Sequence, residues 1–520
     1  MPILLDNAHV YTPSGAFERA ALRIADGRID AVIPAAALAA PAPPDAPQAG
    51  DGRRAGVIDL GGTWVLPGFV DTHIHLTSIA LKFLRCDLSA AVSAADVAQR
   101  MRAWADARPG PHLMGVDWDE GEWENAALPS RSMLDGIEAR RPVLARRVCG
   151  HVGVANSALL ARLGESAARI DPALVDADSG LLREHALWEA GRVCAPEARA
   201  LAARFEEAIR HLHSLGITAI HDIVGTDKFD TYLEGVTSSV APLSIDVLLV
   251  TGPEDFGRYR AAVDGCGAAN LRLAGIKCFL DGSLGGRTAA INDPYEDGGD
   301  RGVLLVDTDT LRATARACHE GGFTCAMHAI GDRAIDQATA VLRAFPPDAD
   351  NFRIEHCELV GPTQLRALQE APVFLSLQPN FVRRWGAAHG VYERRLGKAR
   401  LARMNRFRSL LDGGVDFVFG SDGMPPGPLY GLRGATHHPH ENERLTAVEA
   451  IDRYTRLAHA VGARRDPAGL LEAGWPADLV VLDKNPLSTD VGSIQVLMTM
   501  VAGDPVTPWR GPAGGAGTLL

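Results

Sequence analysis

The chain has little cysteine and uses it without pattern: eight residues, at 86, 149, 194, 266, 278, 318, 325 and 357, include no C-x-x-C pair. That excludes a disulfide-stapled scaffold and a cysteine-ligated zinc module, and leaves reduced thiols. No stretch approaches the ~20 consecutive apolar residues that a membrane-spanning helix needs. Met1 to Gly15 lacks the basic segment that precedes the apolar core of an export signal. These absences together predict a cytoplasmic protein. Positive charge is also in deficit, with 52 Lys and Arg against 64 Asp and Glu and a net charge of −12. Such a chain has no general attraction for nucleic acid or anionic lipid. A small molecule is the expected partner, with neither nucleic acid nor membrane.

What is present is ordinary globular material, 47% hydrophobic and 22% charged over 520 residues, enough to bury a large core. Residues 1–66 read as short strands, among them Ala21 to Ile24, Ile29 to Val32 and Val57 to Leu60, interrupted by an Ala/Pro-rich run from Ala35 to Gly50 that reads as an exposed loop. Ala477 to Leu482 and Ile494 to Val501 have the same β character. The two ends, 1–66 and 470–508, are therefore expected to complete one small β-sandwich domain.

Between them the pattern becomes apolar strand, then helix, repeated. The strands are Phe69 to His75, Ile217 to Val224, Ile245 to Val250, Leu271 to Leu280, Phe323 to Ile330, Phe352 to Leu359, Val373 to Gln378 and Phe417 to Gly420. Leu311 to Glu320, Ala334 to Ala344 and Ala402 to Leu411 read as intervening helices. Eight continuous apolar strands alternating with helices predict an α/β fold with a closed (β/α)8 TIM-like barrel over 67–469. The gap between His75 and Ile217 is too long for one helix; it predicts a large insertion after the first barrel strand, roughly residues 85–200.

Chemistry concentrates at the strand ends. His73 and His75 share one face of a strand, so two imidazoles can meet one cation. With 17 histidines, chance alone supplies about half an H-x-H pair, and His211/His213 and His438/His440 repeat the spacing. The former lies in a helical run where i and i+2 diverge; the latter brackets Pro439 in a loop. Only the first pair ends an apolar strand. Active groups of such barrels sit at the C-terminal ends of strands, and those ends carry Lys277, Asp281, His328, Glu355-His356 and Asp422.

This series resembles the amidohydrolase superfamily, and within it the large-insertion branch that includes N-substituted formamide deformylases. The resemblance rests on Pro67-Gly68-Phe69-Val70-Asp71-Thr72-His73-Ile74-His75, and on Lys277 through Arg287, His328 through Arg333, Arg353 through His356 and Gly420 to Asp422. It implies a metal-dependent hydrolase of C–N bonds, with His73, His75, Lys277, His328, His356 and Asp422 as metal ligands and a homodimer as the assembly. It also implies that Lys277 is carboxylated and bridges two metals. Read from the residues alone, imidazoles and a carboxylate in a barrel mouth suit Zn²⁺, which lowers the pKa of bound water to about 7. Asp422 would be the catalytic group, taking a proton from that water and passing it to the leaving nitrogen.

Three alternatives stay open. Lys277 could remain an ammonium paired with Asp281, leaving one metal. The chemistry would then resemble that of single-metal deaminases of aminated heterocycles, which use His73, His75, His328 and Asp422. The barrel could also serve as a non-catalytic regulatory protein.

Further candidates are weaker in pattern. Trp118, Asp119 and His151, with Glu120 and Asn156-Ser157, resemble insertion motifs that line the substrate pocket or, equally, pack the insertion. Asp281 to Arg287 reads as a flexible substrate loop, with Arg287 as an anion contact. It lacks the G-x-x-x-x-G-K-[ST] of a phosphate loop. His221 and Asp222 are candidates to support ligands from behind. His437, His438 and His440 read as loop or surface residues, and the cysteines as small buried hydrophobes.

Overall fold

The structure is a computed structural model and describes residues 2–38, 56–108, 110–120, 123–124, 127–148, 150, 152–165, 170–386, 390–461 and 468–511. By compactness the chain divides into two units, one of Met1–Leu76, Ile209–Leu233 and Thr237–Leu520, the other of Thr77–Ala208 with Glu234–Val236.

In the first unit the apolar runs become eight strands: Phe69–Ile74, Ile217–Gly225, Ser244–Val250, Leu271–Phe279, Thr324–Ala329, Phe352–His356, Phe374–Leu377 and Phe417–Phe419. They pair in parallel in chain order, as strands covered on both faces should. The eighth returns to the first, where the Ser421 and Asp422 amides donate to the His73 carbonyl at 3.2 and 2.6 Å. Gly420 permits that approach, since a Cβ there would lie 2.4 Å from the His73 nitrogen. The fold is thus a TIM-like barrel.

Two helices form close to where the periodicity puts them. Thr308–Gly321 starts on Asp307, whose carboxylate accepts from the Asp309 and Thr310 amides, and Asp332–Leu342 follows the fifth strand. The helix expected at Ala402 to Leu411 is a correction. Val391–Leu401 and Phe407–Asp412 are separate helices, because Asn405 takes a left-handed backbone (φ 52°) and its amide bonds the Glu358 carbonyl.

The chain ends build one eight-stranded sheet. Ile3–Tyr11 pairs with Phe17–Ala25 on one side and with Gly56–Asp59 and Trp64–Pro67 on the other; Leu479–Leu482 joins Trp64–Pro67 and continues to Val496–Val501. Leu5, Val10, Leu22 and Val65 from one end and Leu479, Val481 and Met498 from the other share its core. Trp64–Pro67 leads through Gly68 straight into the first barrel strand, so the sheet anchors the strand that carries His73. Ala35–Leu38 is a helical turn; the rest of the Ala/Pro-rich run to Gly50 lies outside the described residues.

The second unit holds its own six-stranded sheet. Cys86–Asp87, Leu113–Trp118 and Val143–Arg147 run parallel; Val152–Ala155, Leu181–Arg183 and Val175–Asp176 continue antiparallel. Helix Ala94–Ala107 covers one face over Leu88, Val97, Met101 and Leu113. On the other, Ser157–Glu165 and Glu184–Val193 pack on Met114, Val116 and Leu144. Among the described residues no helix is long and apolar enough to cross a membrane, and the seven described cysteines are unpaired.

Candidate metal centre

The end of the first barrel strand turns both its histidines toward one carboxylate. His73 Nε2 lies 3.7 Å and His75 Nε2 3.0 Å from Asp422 Oδ1. The opposite ring nitrogens are already committed: His73 Nδ1 to Glu355 Oε2 at 2.7 Å and His75 Nδ1 to the Ile223 carbonyl at 3.1 Å. Both acceptors require N–H at Nδ1, which leaves each Nε2 a lone pair directed at an anion. Three lone-pair donors converging in this way need a cation among them, or a proton on His75. Asp422 supplies the pull: burial works against protonated His75, but the Asp422 hydrogen bond outweighs it and raises the imidazole above its ordinary value.

Register brings in the next strands. Phe279, His328 and Glu355 are neighbours across the fourth, fifth and sixth strands, as are Lys277, Ala326 and Arg353 one row earlier. Paired residues of parallel strands share a face, so Lys277, Phe279, His328, Arg353 and Glu355 lie on one side of the sheet. Strict alternation would send His356 to the other side. Its left-handed backbone (φ 67°), followed by Cys357 at 46°, breaks the alternation. The His356 ring therefore meets His328 at 4.4 Å and His73 at 4.7 Å between centroids. Asp422 is likewise left-handed (φ 57°). Such strain in non-glycine residues concentrates at functional sites.

His328 Nε2 donates to the Gly282 carbonyl at 3.0 Å, leaving Nδ1 as its lone pair. Burial and the Lys277 charge hold this ring down to about 3, and burial with the neighbouring rings keeps His356 neutral. The ligand atoms of His73, His75 and Asp422 thus lie within 4.8 Å of one another, with the rings of His356 and His328 beside them.

Lys277 stands among them, 1% exposed, and its Nζ has no hydrogen-bond partner. Burial lowers it to about 8 against the pull of Glu355. The pairing with Asp281 that would fix it as an ammonium is not formed. The Asp281 carboxylate is taken by the amides of Ile330, Gly331 and Ala290 at 2.8 to 3.0 Å.

Beneath the histidines lies a network that motif spacing does not show. Arg353, 1% exposed, bonds Glu355 Oε2 at 3.0 Å, the Thr72 carbonyl, and His221 Nδ1 at 2.8 Å. His221 Nε2 faces Asp246, which Arg272 grips through both oxygens. Burial alone would raise Glu355, but Arg353, His73 and Lys277 outweigh it and hold the carboxyl ionised. Asp71 accepts the His73 and Ser421 amides and the Ser421 hydroxyl, and Asp222 accepts the Leu76 amide just past His75. Burial pushes both carboxyls up to about 7. The findable signal was Arg353-x-Glu355: opposite charges two apart on an apolar strand share a face and must pair.

These residues fit a divalent cation. Nitrogen and carboxylate donors in a cluster are the ligand types of zinc and related ions, and Lys277 Nζ and His356 Nδ1 are buried beside them without a hydrogen-bond partner.

The remaining candidates have other employment. Trp118 is fully buried in the core of the second unit. Asp119 and Glu120 both grip Arg147, at 2.6 and 2.7 Å. Asn156 accepts the Val143 and Leu159 amides at the start of its helix. His151 lies outside the described residues. The 281–302 loop does not hang free. Arg395 holds the Gly285 carbonyl, Arg333 holds those of Arg301 and Gly302, and Arg287 donates to the Asp297 carbonyl within the loop itself. His438, expected in a loop or at the surface, is in a loop but only 2% exposed, because it packs on Phe407.

Comparison with known proteins agrees with this geometry. The sequence profile of the Amidohydrolase family matches residues 56–507. The chain is 26% identical over 550 aligned positions to the N-substituted formamide deformylase of Arthrobacter pascens, covering 96% of this chain and 97% of that one. It is 27% identical to the protein LONG AFTER FAR-RED 3 of Arabidopsis thaliana, over 88% and 84% of the two chains. Among solved structures, an uncharacterized metal-dependent hydrolase from Pyrococcus furiosus superposes with a TM-score of 0.75 at 27% identity, covering 94% and 100%.

Proposed function

The chain belongs to the amidohydrolase family, and from that premise we propose that it hydrolyses a C–N bond of an amide- or formamide-like small molecule, using zinc held by His73, His75, His328, His356, Asp422 and a carboxylated Lys277. The observation that carries this reading is the approach of the His73 and His75 Nε2 atoms to Asp422 Oδ1, with both Nδ1 atoms already committed. When bound, the metal supplies Lewis acidity and brings the pKa of a water held there to about 7.

The side chains then divide the work. Glu355 and the Ile223 carbonyl hold the two imidazoles in the tautomer that presents Nε2. For Asp422, burial works toward the neutral acid, but the His75 hydrogen bond and the nearby positive charge outweigh it, so the carboxylate is ionised. It takes the proton from the attacking water and delivers it to the departing nitrogen. Lys277 Nζ, unprotonated, adds its lone pair to the carbon of CO2 and loses a proton, which turns a buried cationic group into an anionic one with two oxygens. That change of sign suits a site built from cation ligands. The seven described cysteines, all unpaired, suit a reducing, cytoplasmic compartment.

The test has two arms. Metal content is measured for the parent and Lys277→Ala, each with and without bicarbonate; two metals in the parent, promoted by bicarbonate, and fewer in the variant are expected. One metal per chain, indifferent to both, would discard the carboxylated lysine. Metal-loaded enzyme is then assayed on N-acyl, N-formyl, cyclic-amide and aminopurine compounds. Turnover confined to the aminopurines would replace the amide reading with deamination.

A further inference from the structure

In the second unit, two arginines lie on one face of the sheet, and among the described residues neither makes a side-chain ion pair or hydrogen bond. Strand register sets this up. Cys86 pairs with Gly115 and Val116 with Arg146, so Arg85, one residue before its strand, stands level with Met114. Arg85 and Arg146 therefore flank the middle strand on one face, the face of Met114, Val116 and Leu144. Both side chains are half-buried, and the Nε of each is buried with no hydrogen-bond partner. The two charges are close enough to repel: burial and Arg146 together lower Arg85 to about 10.

The neighbours do not neutralise the pair. Asp87, on the same face, is exposed, binds the Ser89 amide and is not among the charges that act on Arg85. Cys194, at the end of helix Glu184–Val193, has a thiol pushed up to about 12 by burial and carries no charge. Arg141 is engaged with Glu138, and His112 is kept neutral by burial and the nearby arginines. Among the described residues, Asp117 is the carboxylate whose charge acts on Arg85. It sits at a break in strand register between Val116 and Trp118, with a left-handed backbone of φ 73°. Bulges of this kind re-aim a side chain beside a site.

An unsatisfied buried N–H is costly, and more so on a charged group. Here two lie on like charges that flank one strand. The Nε–H and one Nη–H of a guanidinium form the edge that matches a carboxylate through two parallel bonds. We propose that Arg85 and Arg146 form a binding site for a small carboxylate. Two guanidinium charges against one Asp117 leave a single positive charge, which matches a monoanion rather than phosphate.

The test uses the full-length protein and acetate, inorganic phosphate and chloride at matched ionic strength, read by thermal melting and titration calorimetry. Acetate is expected to bind saturably and raise the melting temperature where chloride does not, and to bind more tightly than phosphate. Arg85→Met and Arg146→Met should each weaken acetate at least tenfold. Should a methionine variant fail to fold, Arg85→Lys and Arg146→Lys keep the charge and lose the Nε edge, and the same tenfold loss is expected. An acetate effect equal to that of chloride, or one surviving in the variants, would overturn the site; tighter phosphate binding would overturn the carboxylate assignment.

Discussion

Arg353 in the barrel is buried and Arg85 in the second unit half-buried, and their charges are held in opposite ways. Arg353 spends its guanidinium on Glu355, the Thr72 carbonyl and His221, and through Glu355 it fixes the ring of His73. The Arg85 side chain has neither an ion pair nor a hydrogen bond among the described residues, and it lies on the same face as Arg146, whose Nε is likewise unbonded. Burying a charge costs several kcal/mol unless partners compensate it. A satisfied buried charge is therefore a structural member, and an unsatisfied one marks a place where a further group belongs. Lys277 falls in the second class, although it lies in the barrel.

The largest effect tests the barrel carboxylate proposed to react rather than hold. Asp422→Asn keeps the shape and loses the ability to accept a proton, so kcat should fall 10²- to 10⁴-fold, about 3–5 kcal/mol of barrier, with the fold intact by circular dichroism. Near-parent kcat would remove Asp422 from the chemistry. Next, Arg353→Met leaves Glu355 a buried anion held by the His73 N–H without its cation and should cost about 3–5 kcal/mol in chemical denaturation. A loss below 1 kcal/mol would mean that the network is not structural.

Glu355→Gln removes the charge that orients His73 and should weaken divalent metal binding about 10- to 100-fold, measured by competition with a chromophoric chelator. Unchanged affinity would break the link between Glu355 and the site. The smallest effect carries the contrast. Arg85→Met, without added carboxylate, should lie within about 1 kcal/mol of the parent or be more stable, because it removes a repulsion rather than a bond. A loss as large as that of Arg353→Met would show that Arg85 is a structural member after all.

The barrel was legible because strands buried on both faces must be apolar at successive positions, and Ile245 to Val250 or Leu271 to Leu280 declare that without any partner in view. Ile3–Tyr11 did not declare itself: Asp6, Asn7 and His9 interrupt the run where a register shift and the left-handed Asn7 bend the strand. The insertion was visible only as excess length. Its strands are short, several of two to four residues, below what hydrophobic periodicity can resolve. The break at Asn405 was hidden because a residue before a left-handed turn reads like any other helix position.

The ligand candidates were visible as residue types at strand ends, since metal chemistry restricts the choice to imidazoles and carboxylates. Their orientation was not. Glu355 and His356 are adjacent in the chain, and alternation predicts opposite faces; only the left-handed turn at His356 brings its ring to His328 and His73. Asp281 and Asp422 look alike in sequence, each a carboxylate closing a barrel strand. One is consumed by three backbone amides and the other faces two imidazole lone pairs. Local sequence determined the strands and the chemical types at their ends, because periodicity and residue chemistry act over a few positions. Which of those groups is satisfied and which is left open was decided by tertiary structure, because hydrogen-bond partners come from strands hundreds of residues apart.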